Sequence, residues 1–324
     1  MDHYNMLRRV SRTFALSIEL LPFVLRESMT LSYLLLRVAD CLEDHAEIPE
    51  DHKPDLLKLW AGVLDGSEST ERLTKEVAYL NPEDDPEVQA VYQAAHYLDL
   101  LNKLPVDLQQ IVLHRVQQTT LGMARWQEHG PFVEDEKAMD DYMHQVAGLV
   151  GYLLTEIFAW YSPRIQDRMD QLMPLSREYG LALQTVNIIR GMRKDYERGW
   201  VFVPQTFYEQ YGLTRDSLFA PENLDKAISV VNLLADKASK HLFNGMTYIV
   251  AFPRHQHRIR LACMWPLFFA IKTLAISKNN VNVILEEAKL SRPQVKKIMR
   301  ETSMFGWSNH WLLRYYRNLS LPMM

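Results

Sequence analysis

Apolar residues recur every three or four positions along almost the whole chain of 324 residues. This spacing is typical of one face of an α-helix, whereas a half-buried strand would alternate apolar and polar residues. Short polar breaks separate the apolar runs, and none of them is a long low-complexity linker. The sequence therefore predicts an all-α protein with a single domain, residues 1–324. The predicted helices run approximately over residues 12–20, 28–43, 53–64, 86–101, 107–128, 135–160, 163–193, 221–252, 256–277 and 292–311.

Composition restricts the class of partner and the compartment. A formal net charge of −4 gives no strongly basic face, so the sequence predicts no nucleic-acid partner. The two cysteines, Cys41 and Cys263, lie far apart in apolar runs, which argues against a disulfide framework and indicates a reducing compartment. No stretch reaches the about 18 consecutive apolar residues that a membrane span requires. We therefore expect a cytoplasmic protein without a membrane-spanning helix.

A first polar face lies in residues 28–44, SMTLSYLLLRVADCLED, within an otherwise apolar helix. Spacings of three and four positions place on one helical face Tyr33, Arg37, Asp40 and Asp44, with Glu43 at its edge. Carboxylates on a buried helix are costly unless a cation compensates for them, and Mg²⁺ prefers oxygen ligands. The alternative is a solvated acidic helix end at which Arg37 pairs with Asp40. Spacing alone leaves both interpretations open.

A second polar face lies in residues 179–204, YGLALQTVNIIRGMRKDYERGWVFVP. The same spacing places on one face Gln184, Asn187, Gly191 and Asp195. Four basic residues follow near the end of this predicted helix, namely Arg190, Arg193, Lys194 and Arg198. Basic side chains suit a helix C-terminus and also suit phosphate oxygens, so a charged helix end and a phosphate site both remain open. The two faces together predict a cavity with metal and phosphate at its mouth and an apolar interior, which a long prenyl diphosphate requires.

Four ordered segments resemble the squalene/phytoene synthase family, over roughly residues 8–290. They are SRTFALSIELLP (11–22), YLLLRVADCLED (33–44), DYMHQVAGLVG (141–151) and the second polar face (179–204). In order, they are similar to the family's opening segment, first aspartate-rich motif, tyrosine-containing central helix and second aspartate-rich motif. The sequences NIIR and VAGLVG are more similar to the motifs of the squalene synthase branch. Several motifs in the family's order are more specific than any one of them.

The resemblance implies an isoprenoid-synthase-type helix bundle around a central hydrophobic cavity. Members of the family join two prenyl diphosphates head to head, and Mg²⁺ bridges their carboxylates and the diphosphates. One diphosphate leaves, the other substrate's double bond captures the allylic cation, and a cyclopropyl intermediate forms and rearranges. Squalene synthases quench the final cation with hydride from NADPH. For this chain the resemblance implies a farnesyl-diphosphate farnesyltransferase-like enzyme that uses Mg²⁺, and it leaves the use of NADPH open.

The same resemblance implies roles for the residues at matching positions. Metal binding is assigned to Asp40, Glu43, Asp44 and Asp195. Catalytic roles are assigned to Tyr142, Arg37 and Tyr33. Substrate binding is assigned to Ser11, Arg12 and Phe14 at the first site and to Gln184, Asn187, Arg190, Lys194 and Arg198 at the second.

Two positions depart from the family pattern in the second motif. An aspartate usually follows NIIR directly, and here that position is Gly191. The motif usually continues into glycine–arginine, whereas here Gly199 is followed by Trp200. A reduced second metal site leaves two other functions open. One is prenyl transfer to a non-prenyl acceptor such as an amine or alcohol, and the other is a non-catalytic isoprenoid-binding or assembly protein.

The C-terminal residues 304–324, MFGWSNHWLLRYYRNLSLPMM, mix aromatic, leucine and arginine residues. The segment is too short to span a bilayer, but a helix of this composition can lie on a membrane surface. Two interpretations are therefore open, a peripheral membrane contact and packing of these aromatic rings on the helix bundle. The sequence does not indicate an oligomeric state.

Overall fold

The computed structural model describes residues 2–321, apart from the side chain of Arg12. Within this range the regular structure is helical without a β-strand, and one isolated parallel bridge joins Phe132 and Val201. The predicted all-α class is confirmed. The α-helices are α1 His3–Val10, α2 Arg12–Ile18, α3 Phe23–Asp44, α4 Lys53–Asp65, α5 Thr70–Glu76, α6 Pro86–Tyr92, α7 Ala94–Leu101, α8 Val106–His129, α9 Glu136–Met143, α10 Leu149–Tyr161, α11 Pro163–Gln166, α12 Met169–Glu197, α13 Gln205–Glu209, α14 Leu224–Ala251, α15 His257–Ser277, α16 Asn282–Leu285, α17 Arg292–Phe305 and α18 Asn309–Ser320.

Contacts along the chain define two compact units, and each unit contains two separate segments of sequence. The first unit comprises the residues up to Gly130 together with Leu149–Met169. The second unit comprises Pro131–Gly148 together with the residues from Asp170 onward. The first polar face lies in the first unit and the second polar face lies in the second. The assignment of residues 1–324 to a single domain stays a prediction.

Helix α3 is central to the first unit, where it packs against α8, α6, α1, α4 and α7. Its fully buried apolar side chains include Leu31, Leu34, Leu35, Val38 and Leu42. Because these positions recur at helical spacing, the opposite stripe with Tyr33, Arg37 and Asp40 stays only half-buried. The hydrophobic packing of α3 therefore determines which side its polar residues occupy.

The start of α6 brings another carboxylate towards α3 in the same unit. The Asp85 side chain caps α6 by accepting hydrogen bonds from the backbone N–H groups of Glu87 (2.7 Å) and Val88 (3.2 Å). Pro86 occupies the first helical position, where its fixed φ favours the helix and its missing N–H costs nothing. This start places Glu87 in the first turn of α6, beside α3.

In the second unit, α12 approaches the backbone of another helical segment closely at Gly180. A Cβ atom at Gly180 would lie 2.2 Å from the carbonyl oxygen of Ala147. Ala147 belongs to a π-helical turn, His144–Gly148, that follows α9. Such turns interrupt α-helices with a wider coil and occur frequently at functional sites. The lack of a side chain at Gly180 thus allows α12 to pack closely against the segment that follows Tyr142.

Several predicted helices are interrupted in the structure. The segment 86–101 divides at Gln93, the segment 163–193 divides after Gln166, and the segment 135–160 contains the π-helical turn. The segment 292–311 divides after Phe305, because Ser308 caps a new helix by accepting a hydrogen bond from the Trp311 N–H group. The short helices α1, α5, α13 and α16 have no counterpart in the prediction, since they are too brief for a periodic pattern.

Among residues 2–321, one helix, α15, is long and apolar enough to cross a membrane by length and composition. Within the protein, 83% of its most apolar window is buried, as expected of a core helix, so the finding is weak evidence for a span. Arg258, Arg260 and Lys272 interrupt the apolar residues of α15, so the sequence contains no uninterrupted apolar stretch of spanning length here.

Candidate active site

The first motif group comprises Tyr33, Arg37, Asp40 and Asp44 of α3 together with Glu87 of α6. Within it, Arg37 Nη2 donates a hydrogen bond of 2.8 Å to the Tyr33 hydroxyl. Arg37 Nη1 lies 3.3 Å from Asp40 Oδ2 and 3.3 Å from Glu87 Oε1. The structure therefore brings together Tyr33, Arg37 and Asp40 as predicted, and it adds Glu87, which the sequence analysis missed.

Burial and neighbouring charge affect the Asp40 carboxyl strongly. Burial is the largest cause and raises its pKa, whereas the Arg37 guanidinium lowers it. The carboxylates of Asp44 and Glu87 raise it further, and the resulting pKa is about 6. Several carboxylates thus concentrate negative charge at this end of α3. A cation bound there would relieve their mutual repulsion.

The donor set of the first motif group fits Mg²⁺. Asp40 and Asp44 are hard oxygen donors one helical turn apart, and the Asp44 carboxylate is close enough to raise the pKa of Asp40 beyond the larger effect of burial. Within residues 2–321 no group of three or more His, Cys, Asp or Glu side chains is arranged to hold a metal by itself. Mg²⁺ is usually bound by one or two carboxylates and completes its shell with water and substrate phosphate, so two carboxylates are a sufficient donor set from the protein.

The opening segment places one aromatic ring beside the first motif group. Ser11 caps α2, since its hydroxyl oxygen accepts a 3.1 Å hydrogen bond from the Phe14 N–H group. The Phe14 ring then lies 5.9 Å from the Tyr33 ring, measured between centroids. Of the three predicted residues here, Ser11 shapes the backbone and Phe14 contacts the motif. The side chain of Arg12 lies outside the described part of the protein.

Tyr142 lies in an aromatic stack within the second unit. Its ring is stacked on Phe202 with centroids 4.4 Å apart, and Phe202 is stacked on Trp200 at 5.3 Å. Tyr142 is 6% exposed, so one face of this phenol is covered by the chain that follows the second motif. Trp200, which stands where the family motif usually has an arginine, therefore extends an aromatic surface next to the predicted catalytic residue Tyr142.

The second motif group comprises Gln184, Asn187, Gly191, Asp195 and Arg198, all on or just after α12. Asp195 Oδ1 accepts a 2.6 Å hydrogen bond from Arg198 Nη2, so a predicted metal ligand and a predicted phosphate ligand form an ion pair. Asn187 and Gln184 contact each other at 3.5 Å. A Cβ atom at Gly191 would meet only Asp195 Oδ2, at an ordinary 3.6 Å. This position therefore has room for a side chain, although it carries none.

Two further residues of α12 with a predicted role in substrate binding, Arg190 and Lys194, pair with a carboxylate that could not be identified from the sequence. Arg190 Nε lies 3.4 Å from Glu287 Oε1, and Lys194 Nζ lies 3.0 Å from Glu287 Oε2. Glu287 follows α16 and is distant from the motif in sequence. Neither Glu87 nor Glu287 belongs to a periodic pattern with its partners, so no signal in the sequence identified these contacts.

Comparison with known proteins agrees with the geometry. The family model described as squalene/phytoene synthase matches residues 7–296. A squalene synthase from Solanum lycopersicum is 32% identical over 305 residues, which cover 92% of this chain and 69% of that enzyme. A squalene synthase from Homo sapiens is 28% identical over 303 residues, covering 93% of this chain and 69% of that enzyme.

Solved structures share the fold. The complex of TcSQS with the ligand BPH1237 matches with a TM-score of 0.83 at 23% identity, covering 98% of this chain and 90% of that one. A dehydrosqualene synthase in complex with a ligand matches with a TM-score of 0.66 at 18% identity, covering 93% and 94%. The resemblance of the four ordered segments is thereby confirmed over nearly the whole chain. The chain belongs to the squalene/phytoene synthase family.

Proposed function

We propose that this protein is a Mg²⁺-dependent transferase that condenses two farnesyl diphosphates head to head, to presqualene diphosphate and then squalene. The observation that carries the proposal is the first motif group. There, a half-buried guanidinium and two carboxylates one turn apart lie on one face of α3. This arrangement offers a cation for phosphate oxygens and carboxylates for a divalent metal. Squalene synthase relatives from a plant and a mammal support the same reaction.

In this proposal the chain's own residues bind and orient the substrate. Arg37, whose guanidinium is positioned by Tyr33 and Glu87, binds a diphosphate oxygen. Tyr142 offers an aromatic face to the carbocation and, with Phe202, excludes water.

Members of the family use Mg²⁺ to bind diphosphate. Here Asp40 and Asp44 would hold it with support from Glu43, and Asp195 would contribute at the second motif. When bound, Mg²⁺ neutralises the charge of the departing diphosphate. NADPH is the expected hydride donor for the final step, and it would bind outside a Rossmann fold because the sequence has no GxGxxG fingerprint.

Pyrophosphate release from farnesyl diphosphate tests the first motif directly. With Mg²⁺ and no added acceptor, the wild-type protein should release pyrophosphate. The Asp40→Asn variant should release it at least about 100-fold more slowly, as expected when a transition-state charge interaction is removed. Asp51→Asn, which changes an exposed aspartate just beyond α3, is the matched control and should keep full activity. Equal rates for the two variants would refute the role of Asp40.

A second function is favoured by one specific observation, the missing carboxylate at Gly191. With a reduced second metal site, a non-prenyl nucleophile such as an amine or alcohol could capture the allylic cation. This alternative predicts pyrophosphate release only when a candidate acceptor or a cell extract is added. If the protein is instead a non-catalytic isoprenoid-binding protein, no pyrophosphate is released under any condition. Asp40→Asn then has no activity to lose.

We further propose a cytoplasmic protein that contacts membranes at its C-terminal end. Large apolar side chains are exposed around the turn between α17 and α18, with Met304 at 58%, Phe305 at 43% and Trp307 at 57%. Residues 292–321 contain six arginines and lysines against a single glutamate. Exposed aromatic rings next to basic residues are characteristic of helices that lie on anionic lipid surfaces. Residues 322–324 of the predicted segment lie outside the described residues.

A further inference from the structure

A carboxylate from outside the second motif occupies the basic end of α12. Glu287 Oε2 lies 3.0 Å from Lys194 Nζ and 3.0 Å from Lys289 Nζ, and its Oε1 lies 3.4 Å from Arg190 Nε. We call these four residues the Glu287 cluster. Three cations share one carboxylate, so the cluster carries two positive charges in excess.

Exposure differs sharply between the anion and the cations of the Glu287 cluster. The side chain of Glu287 is 16% exposed, whereas those of Arg190, Lys194 and Lys289 are 45%, 65% and 69% exposed. The carboxylate therefore lies beneath cations whose ammonium and guanidinium groups reach solvent. An anion arriving from solvent meets the three cations before it meets Glu287.

The backbone around Glu287 allows this carboxylate to be replaced. Arg190 and Lys194 lie one turn apart on the regular helix α12, so their side chains project from a fixed backbone. Glu287 and Lys289 lie in the non-helical stretch 287–291 between α16 and α17. The carboxylate is thus carried by a segment without regular backbone hydrogen bonding, and two of the cations are carried by a helix.

We propose that Glu287 is a built-in competitor at a metal-independent anion site, where diphosphate groups bind directly to Arg190, Lys194 and Lys289 after displacing its carboxylate. A diphosphate has more charge and more acceptor oxygens than a carboxylate, so it satisfies three cations better. An aspartate at position 191, where this chain has Gly191, would help to bind metal. Direct binding of diphosphate to the three cations would replace part of that metal binding. The inference rests on the proposed use of a diphosphate substrate.

Binding of inorganic pyrophosphate in the presence of EDTA tests the competition. Isothermal titration calorimetry on the full chain should show that Glu287→Gln binds pyrophosphate on the order of tenfold more tightly than wild type, because the three ion pairs to Glu287 no longer oppose the ligand. Glu286→Gln is the matched control, since it removes the adjacent exposed carboxylate, and it should bind like wild type. Glu287→Asp, which retains the charge but shortens its reach, should also bind more tightly than wild type.

A second substitution locates the effect. Adding Lys194→Gln to Glu287→Gln should abolish the gain in affinity, and circular dichroism should show that each variant is folded. Unchanged or weaker binding in Glu287→Gln, a gain that persists without Lys194, or no pyrophosphate binding by any variant would overturn the proposal. Because these titrations contain neither Mg²⁺ nor farnesyl diphosphate, failure of the condensation assay would not produce any of these results.

Discussion

Gly180 and Gly191 lie on the same helix, α12, but only one of them is required by packing. A Cβ at Gly180 would lie 2.2 Å from a backbone carbonyl oxygen, and neither backbone can move without shifting a helix. A Cβ at Gly191 would meet only the Asp195 carboxylate, at 3.6 Å. Sterics therefore do not explain why the family's aspartate is absent at Gly191.

Alanine substitutions at the two glycines should change stability in opposite directions. Gly191→Ala should stabilise the protein by about 1 kcal/mol, because alanine is the better helix former. Gly180→Ala should destabilise it by about 1–3 kcal/mol, because the added methyl group overlaps the Ala147 carbonyl. Urea denaturation of both variants measures the difference. A Gly180→Ala variant more stable than wild type would contradict the close approach between Gly180 and the π-helical turn.

Restoring the missing carboxylate tests the second motif group at the level of one residue. Gly191→Asp fits the available space and places a carboxylate one turn from Asp195, at a cost of about 0.2–0.5 kcal/mol for the like charges. If the protein is a weakened synthase, the variant should reach half-maximal activity at a lower Mg²⁺ concentration and show stronger Mg²⁺ dependence. Gly191→Asn, which is similar in size but uncharged, is the control.

The two outcomes of this titration have different meanings. A lower activity in Gly191→Asp than in Gly191→Asn would indicate a site rebuilt for another acceptor. Identical Mg²⁺ titrations for the two variants would show that this position lies away from any metal.

At the scale of elements, a polar network joins α12 to α14 within the second unit. The ring Nδ1 of His241 lies 2.7 Å from Glu178 Oε2, and Asn244 Nδ2 donates a 3.1 Å hydrogen bond to the same oxygen. The hydrogen bond with His241 is the largest cause that lowers the pKa of Glu178, partial burial opposes it, and the resulting pKa is about 2. Ionised Glu178 therefore stabilises the packing of the helix that carries the second motif.

This network predicts a specific pH dependence of stability. Because the pKa of Glu178 is lower in the folded protein than its ordinary value, its contribution is present above about pH 4.5 and is lost as the pH falls through about 2. Wild type should therefore exceed Glu178→Gln by on the order of 2–3 kcal/mol at neutral pH. Urea midpoints should show this gap closing between about pH 4.5 and 2. A gap that stays constant with pH would contradict the assignment.

The sequence predicted long elements better than their interruptions. The bounds of α3, α4 and α8 agree with their apolar periodicity to within a few residues at most ends. The π-helical turn at His144–Gly148 was missed because it depends on the contact with Gly180, a residue about 30 positions away. The break before α18 was also missed, although Gly306 and Ser308 are residue types that end and cap helices.

At the scale of the whole molecule, charge is distributed unevenly along the sequence. The chain has 36 lysines and arginines, of which six lie in residues 292–321. It has 40 aspartates and glutamates, of which one lies in that segment. That segment has a net charge of +5, and the rest of the chain has −9. Such asymmetry favours attraction of one end of the sequence to an anionic surface.

Vesicle co-sedimentation tests whether this end of the chain contacts lipid. The full protein should bind vesicles that contain phosphatidylserine and bind pure phosphatidylcholine vesicles weakly, and Trp307→Ser should reduce the binding several-fold. Phe23→Ser removes another exposed ring, 68% accessible, outside the basic segment and should leave binding unchanged. Equal binding by the two variants would instead favour packing of the aromatic rings on the bundle.

The family and the helical class could be predicted from the sequence because several motifs occur in the right order. The contacts within each motif group could be predicted only where residues share one helical face, as for Tyr33, Arg37 and Asp40. Glu87 and Glu287 contact the motifs from other elements, and helical spacing carries no information about such partners. The stacking of Trp200 on Phe202 was missed for a different reason, since residues 198–204 leave the helix.

Product analysis tests the central claim most directly. The full protein is incubated with farnesyl diphosphate and Mg²⁺, with and without NADPH, and the lipid extracts are examined by mass spectrometry with an EDTA sample as control. We expect presqualene diphosphate without NADPH, squalene with NADPH, and neither product in EDTA. Intact farnesyl diphosphate across a range of metal concentrations and prenyl chain lengths, or a product that forms only with a non-prenyl acceptor, would contradict head-to-head condensation.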